Sequence, residues 1–255
     1  MRVVATLFLV AVVFLSGCLG GANETSSTTT STILCAWATG DIQRRQCIVE
    51  AAADRNDTSL CESFNESIWR DTCLRKVAEN SKDITLCDGI ASAEAQSECL
   101  KSLAVETDDK DVCLLVNDTA QRDTCYYSLA MQTNKPSTCN NIESEASKYR
   151  CIAIIKKDAH VCDNITEANA RDWCYMMIAS IKPEKTSCSE ITGDNARDAC
   201  LSILAQRLVD ARFCSQVKNE TTKTACQDNA AKAASRLKDM QGNFGPNESI
   251  RIQPQ

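Results

Sequence analysis

Cysteine is the residue type that dominates this chain chemically: 17 of 255 residues are Cys. Thiols at that density ligate metal, exchange with other disulfides, or pair permanently, and the compartment decides which. Setting Cys18 aside, the rest fall at 35, 47, 61, 73, 87, 99, 113, 125, 139, 151, 162, 174, 188, 200, 214 and 226. Each odd member is followed by its neighbour after 12 residues, eight times out of eight, and the step between pairs is 14 in six cases and 11 once, from Cys151 to Cys162. No C-x-x-C occurs, which argues against dithiol redox catalysis, iron–sulfur cradles and haem attachment. Successive Cys at least 11 apart also argue against a clustered metal store. The pattern predicts permanent disulfides on a repeat of about 26 residues, and a period of that size signals a stacked array.

Two registers are open. Each first Cys could bond the second of its own unit, or each second Cys could bond the first of the next unit. The first is favoured, because the 12-residue step never varies while the longer one does, and because the second would leave Cys35 and Cys226 unpaired. The expected pairs are Cys35–Cys47, Cys61–Cys73, Cys87–Cys99, Cys113–Cys125, Cys139–Cys151, Cys162–Cys174, Cys188–Cys200 and Cys214–Cys226. A loop of this size contributes roughly 3 kcal/mol in the chain-entropy picture. Two short helices cannot bury enough surface to fold alone, so such bridges compensate for a weak core.

Other polar candidates are few. The one His, His160, sits in the shortened step and is read as a surface or packing residue; its isolation argues against His-based triads and zinc catalysis. Nine residues after the first Cys stands a basic residue in seven units: Arg44, Arg70, Arg122, Lys148, Arg171, Arg197 and Lys223. Asp follows in four of them, as Asp71, Asp123, Asp172 and Asp198. The stems are expected to lie over the core edge with the heads on an acid or a carbonyl. The sharper alternative is a cationic ladder for an anionic polymer or acidic partner, against which the net charge of −6 counts. Seven N-x-S/T sequons, at Asn23, Asn56, Asn65, Asn117, Asn164, Asn219 and Asn247, fall in expected turns or tails and mark possible glycosylation.

Helices must position these groups. Three after each first Cys the residue is apolar: Ala38, Phe64, Ile90, Val116, Ile142, Ile165, Ile191 and Val217. Four after each second Cys it is apolar again, and the next residue is Ala in seven units and Lys156 in the fifth. These spacings mark helical faces. An acid usually lies four before the first Cys, as at Asp57, Asp83, Asp109, Asp158, Glu184 and Asp210, which suits an N-cap. Polar turns such as Thr39-Gly40-Asp41 and Asn117-Asp118-Thr119 divide each unit. The prediction is an all-α, solenoid-like tandem array of eight short helical hairpins, each with a helix of about two turns, a tight turn, and a helix of about three turns. It resembles tetratricopeptide-like solenoids in class only, without their consensus. The short step, with Lys where the others have Ala, predicts a joint near residues 152–161 that divides the array into blocks of five and three.

The N-terminus sets the compartment. Arg2 precedes an apolar run from Val3 to Leu15, long enough for a signal-peptide core and too short to span a bilayer. Leu15-Ser16-Gly17-Cys18 resembles the lipobox of prokaryotic lipoproteins. The resemblance implies lipidation of Cys18, attachment at the outer face of a membrane, and an oxidising environment for the other thiols. The expected organisation is a signal peptide at 1–17, a lipid-anchored Ser/Thr-rich tether at 18–32, the repeat domain at 33–238, and a loose tail at 239–255. An acidic chain of pI near 5.0 is not built for nucleic acid, and no cofactor motif is found. The expected role is a surface-anchored, non-catalytic scaffold that binds another protein or an envelope polymer. The alternatives are a thiol- or metal-handling extracytoplasmic protein and a carboxylate-based enzyme.

Overall fold

A computed structural model describes residues 35–184 and 188–243; Cys18, Asn23, Asn247, the signal-peptide and tether segments and most of the expected tail lie outside them. The fold is all-helical, with eight longer helices in tandem: α1 (Asp41–Arg55), α2 (Ser67–Ser81), α3 (Ala93–Thr107), α4 (Thr119–Thr133), α5 (Glu145–Lys156), α6 (Ala168–Ile181), α7 (Asp194–Arg207) and α8 (Glu220–Asn243). Each follows its unit's first Cys, so αn belongs to unit n. The first Cys lies in a short 3-10 helix such as Thr58–Ser63 or Lys110–Leu115, and in units one and seven in a turn. Two 3-10 turns take six residues where an α-helix needs seven, which is why spacing alone did not separate the two forms. Successive α-helices pack on one another, and each also packs on the 3-10 segment that follows it.

Every first Cys is disulfide-bonded to the second Cys of its own unit, with Cα–Cα distances from 5.5 to 6.0 Å. The bridges lie in the core: fifteen of the sixteen half-cystines are buried, and only Cys47 is partly exposed. The apolar residue three after each first Cys is buried in all eight units. It also closes the short helix, its N–H donating back to the carbonyl of that Cys, as Val116 does to Cys113 at 3.2 Å.

The acid four before the first Cys is an N-cap, as expected. Asp57, Asp83, Asp109, Asp158 and Asp210 each accept from the N–H two residues on. The reversal before each cap is made by a left-handed residue, and none is glycine: Asn56, Lys82, Asp108, Asn134, Lys157 and Val209 have φ between 51° and 56°. The chain then returns a hydrogen bond to the small Ala of the helix, as Asp57 N–H does to the Ala52 carbonyl at 2.9 Å and Asp83 N–H to Ala78 at 3.2 Å, the arrangement of a Schellman turn.

That bond corrects the reading of the fifth unit. Asp158 N–H reaches the carbonyl of Ala153 at 3.1 Å, so Ala153 occupies the small seat, and it is fully buried. Lys156, expected there, is exposed. The missing three residues fall inside the helix, between Cys151 and the Ala. α5 accordingly has 12 residues where α1 to α4 have 15, and is about 4.5 Å shorter at the usual rise. In unit eight the buried small residue is Ala230, one before the expected Ala231, which is exposed.

The apolar core forms three clusters, divided between Val77 and Ala78 in α2 and between Cys151 and Ala153 in α5. The second division falls at the unit with the short step; the first was not foreseen. α8 runs on to Asn243, so residues 239–243, assigned to the tail, belong to the last helix.

Candidate functional site: the inter-unit clasps and the basic row

The residue two before each second Cys faces the start of the next unit. Where it is Asp it is buried and clasps that start through two backbone N–H groups. Asp71 accepts from Ala91 and Ser92 at 3.0 Å each, and Asp123 from Glu143 and Ser144 at 2.8 and 2.9 Å. Asp172 accepts from Thr192 and Gly193 at 3.0 and 2.7 Å, and Asp198 from Lys218 and Asn219 at 2.9 Å each. These four carboxylates are at most 9% exposed. They satisfy donors that a helix start leaves orphaned, on the neighbouring hairpin rather than their own.

The remaining joints follow a charge rule. The clasped N-cap residues are neutral: Ser92, Ser144, Gly193 and Asn219. Where the next N-cap is itself acidic, at Glu66, Asp118 and Glu167, the clasp position holds Arg45, Ser97 and Tyr149 instead. Arg45 pairs with Glu66 at 2.8 Å. At the short joint Glu145, in the first turn of α5, accepts from the N–H of Thr166 at 2.7 Å and from its hydroxyl at 2.8 Å. Those bonds, the backbone one foremost, hold the Glu145 carboxyl below its ordinary range. Two carboxylates on one helix start would repel, so the Asp appears only where the neighbour is neutral.

The basic row lies next to the clasps. Arg44, Arg122, Arg171 and Arg197 turn their guanidinium groups to the carbonyl six residues back, on Ala38, Val116, Ile165 and Ile191. These are the buried apolar residues that end the short helices. Arg122 also pairs with Glu143 at 2.8 Å, and Lys223 with Glu220 at 2.9 Å. Arg70 is exposed and Lys148 half-buried. The row therefore closes the turn inside each unit at four positions, in the manner expected of heads that meet a carbonyl.

Among the described residues no group of three or more His, Cys, Asp or Glu is placed to hold a metal. His160 is exposed, with Nδ1 3.9 Å from Asp163. The phenol of Tyr175 donates to Asp163 across unit six, and burial first, then that bond, raises its pKa. The concave features are open recesses between neighbouring α-helices. One of about 640 Å³ is lined by Ile68, Asp71, Arg75, Glu94 and Glu98, and one of about 470 Å³ by Glu50, Lys76, Glu79 and Lys82. They carry both signs of charge. The sequon residues Asn56, Asn65, Asn117, Asn164 and Asn219 are all exposed; Asn219 also caps α8 through Thr222 N–H at 3.0 Å.

The left-handed residues and the role of the Asp clasps were not found from sequence. The signal for the clasp was available as the anticorrelation between an Asp in one unit and an acid at the start of the next. Comparison with known protein families, characterised proteins and solved structures found no match.

Proposed function

We propose that the chain is a lipid-anchored, non-catalytic scaffold held outside the cytoplasm, which binds another protein or an envelope polymer along the recesses between its α-helices. The observation that carries this reading is the use to which the chemically capable side chains are put. Sixteen Cys are paired within units, the buried Asp residues hold neighbouring hairpins together, and four of the basic residues close their own turns. What remains free to meet a partner is an extended, mixed-charge surface, which is what stacked repeats offer. Eight disulfides suit an oxidising compartment, and no helix among the described residues is long and apolar enough to cross a membrane. Attachment is assigned to Cys18 through its Leu-Ser-Gly-Cys context.

Two measurements test the reading. The intact mass of the mature chain should correspond to a start at Cys18 with an acyl addition and to no free thiol before reduction; several free thiols would favour thiol or metal chemistry. Surface cross-linking in cells, followed by identification of the joined species, should give a partner whose yield drops when Arg75 and Glu98 in the largest recess are reversed in charge. A partner insensitive to changes in all the recesses would remove the proposed binding face.

A further inference from the structure

Between units, the outward side of each α-helix is covered by the preceding α-helix. Unit one has no preceding unit among the described residues, and its outward side is apolar. Trp37 is 72% exposed and Ile42 is 65% exposed. Cys47, the only half-cystine that is not buried, and Ala51 lie partly open beside them. Trp37, Gln43, Gln46, Cys47, Glu50 and Ala51 line a shallow recess of about 600 Å³. Ile42 stands one turn before Gln46, hence on the same side of α1. We propose that this end of the array docks on a lipid bilayer, with Trp37 and Ile42 entering the interface; the inference rests on the lipid-anchor reading above.

Three observations favour a membrane over other occupants. Cys18 and Cys35 are separated by 17 positions, which span at most about 60 Å in any conformation. An acyl group on Cys18 therefore brings unit one to the surface before any other unit. Trp is the side chain that favours the headgroup level, its ring apolar and its N–H able to donate. α1 carries Asp41, Glu50 and Asp54 against Arg44, Arg45 and Arg55, so the end is neutral and suits zwitterionic lipid rather than needing an anionic one. The opposite end differs: α8 exposes Ser235, Arg236, Lys238 and Asp239.

The test uses phosphatidylcholine vesicles with brominated acyl chains and the acylated full chain. A Trp69→Phe/Trp173→Phe variant leaves Trp37 as the reporter, and Trp37→Phe/Trp69→Phe leaves Trp173. Trp37 emission should shift to the blue and lose most of its intensity, while Trp173 emission should not change. Equal quenching of the two would overturn the proposal, as would protection of Trp37 that grows with protein concentration in the absence of lipid, which would mean that a second copy covers this end. Because Trp69 packs near Phe64, a second measurement leaves it in place. A full-length Cys18→Ser chain should partition weakly onto the same vesicles, and adding Trp37→Ser and Ile42→Ser, both exposed sites, should lower that partition by about tenfold or more. No change would overturn the docking. A mature chain without an acyl mass would remove the anchor while leaving this second measurement to decide the end face by itself.

Discussion

The charge rule at the joints can be tested by moving a clasp. Ser97 occupies the clasp position of unit three, half-buried, with its hydroxyl on the Ala93 carbonyl at 2.8 Å. An Asp there would face the N–H groups of Asn117 and Asp118, by analogy with Asp71 on Ala91 and Ser92. Two hydrogen bonds to a charged acceptor contribute about 1.5–3 kcal/mol each before desolvation and side-chain ordering, so a net gain of about 2 kcal/mol is expected if nothing opposes it. The Asp118 carboxylate opposes it, since it already caps α4 on the Gln121 N–H at 2.9 Å. Two carboxylates about 5 Å apart repel by roughly 3 kcal/mol at an effective dielectric of about 20. Ser97→Asp alone should therefore leave stability within about 1 kcal/mol of the parent or lower it. Asp118→Ser exchanges one good cap for another and should cost no more than about 0.5 kcal/mol. The double variant should gain about 2 kcal/mol, a coupling well outside additivity. Repeat arrays need not unfold in one step, so amide exchange at Asn117 and Asp118 is the primary assay, with thermal unfolding beside it. Additivity of the two single changes within about 0.5 kcal/mol would refute the charge rule.

Val209 is β-branched and left-handed, at φ 51°, a conformation that disfavours it; Val209→Asn, the residue found at the equivalent Asn56 and Asn134, should raise stability by about 1 kcal/mol in denaturant unfolding, and a loss would show that the Val side chain is held by packing. Because Cys47 is the open half-cystine, brief treatment with a mild reductant followed by alkylation should label Cys35 and Cys47 first, with the other loops, each contributing about 3 kcal/mol, opening later and together with loss of helicity. Labelling in no particular order, or full stability after complete reduction, would contradict the role given to the bridges. Glu145 titrates below its ordinary value of 4.5 because Thr166 donates to it, so its contribution is complete above that value and is lost as pH falls through the lower folded-state pKa. The protection factor of the Thr166 amide should fall on acidification from about pH 6 to about pH 3 and should fall earlier in Glu145→Gln; an amide equally protected throughout would exclude this bond from the joint.

What was legible in the sequence was whatever all eight units use in the same way. The 12-residue Cys step, the apolar residue after each first Cys and the acidic N-caps could be read because repetition averages out local exceptions. What was hidden depended on a single unit or on a relation between units. Lys156 was placed in the Ala seat by counting forward from Cys151, but the deletion lies inside the helix and moves the seat to Ala153, which only the returning bond from Asp158 identifies. The reversals were invisible because Lys82, Lys157 and Val209 give no sign of a left-handed turn, where glycine would have announced one. The Asp clasps were seen as a sequence feature next to the basic row. Their function emerged only when each was set beside the first residue of the following helix.

The disulfides also determine how the molecule would behave under load. Each bridge shunts the 12 residues between its two half-cystines, so tension along the chain bypasses them and meets a link of about 6 Å instead. With a unit of about 26 residues, close to half of the repeat domain's contour cannot be drawn out while the bridges hold. The joints between units have no covalent bypass; their α-helices, left-handed turns and clasps carry the whole force. A pulled array should lengthen in short, similar steps of at most about 50 Å, one joint at a time, each stopped by the next disulfide. For a protein held to a surface at one end and to a partner at the other, that is the response of a spring with a built-in limit of travel.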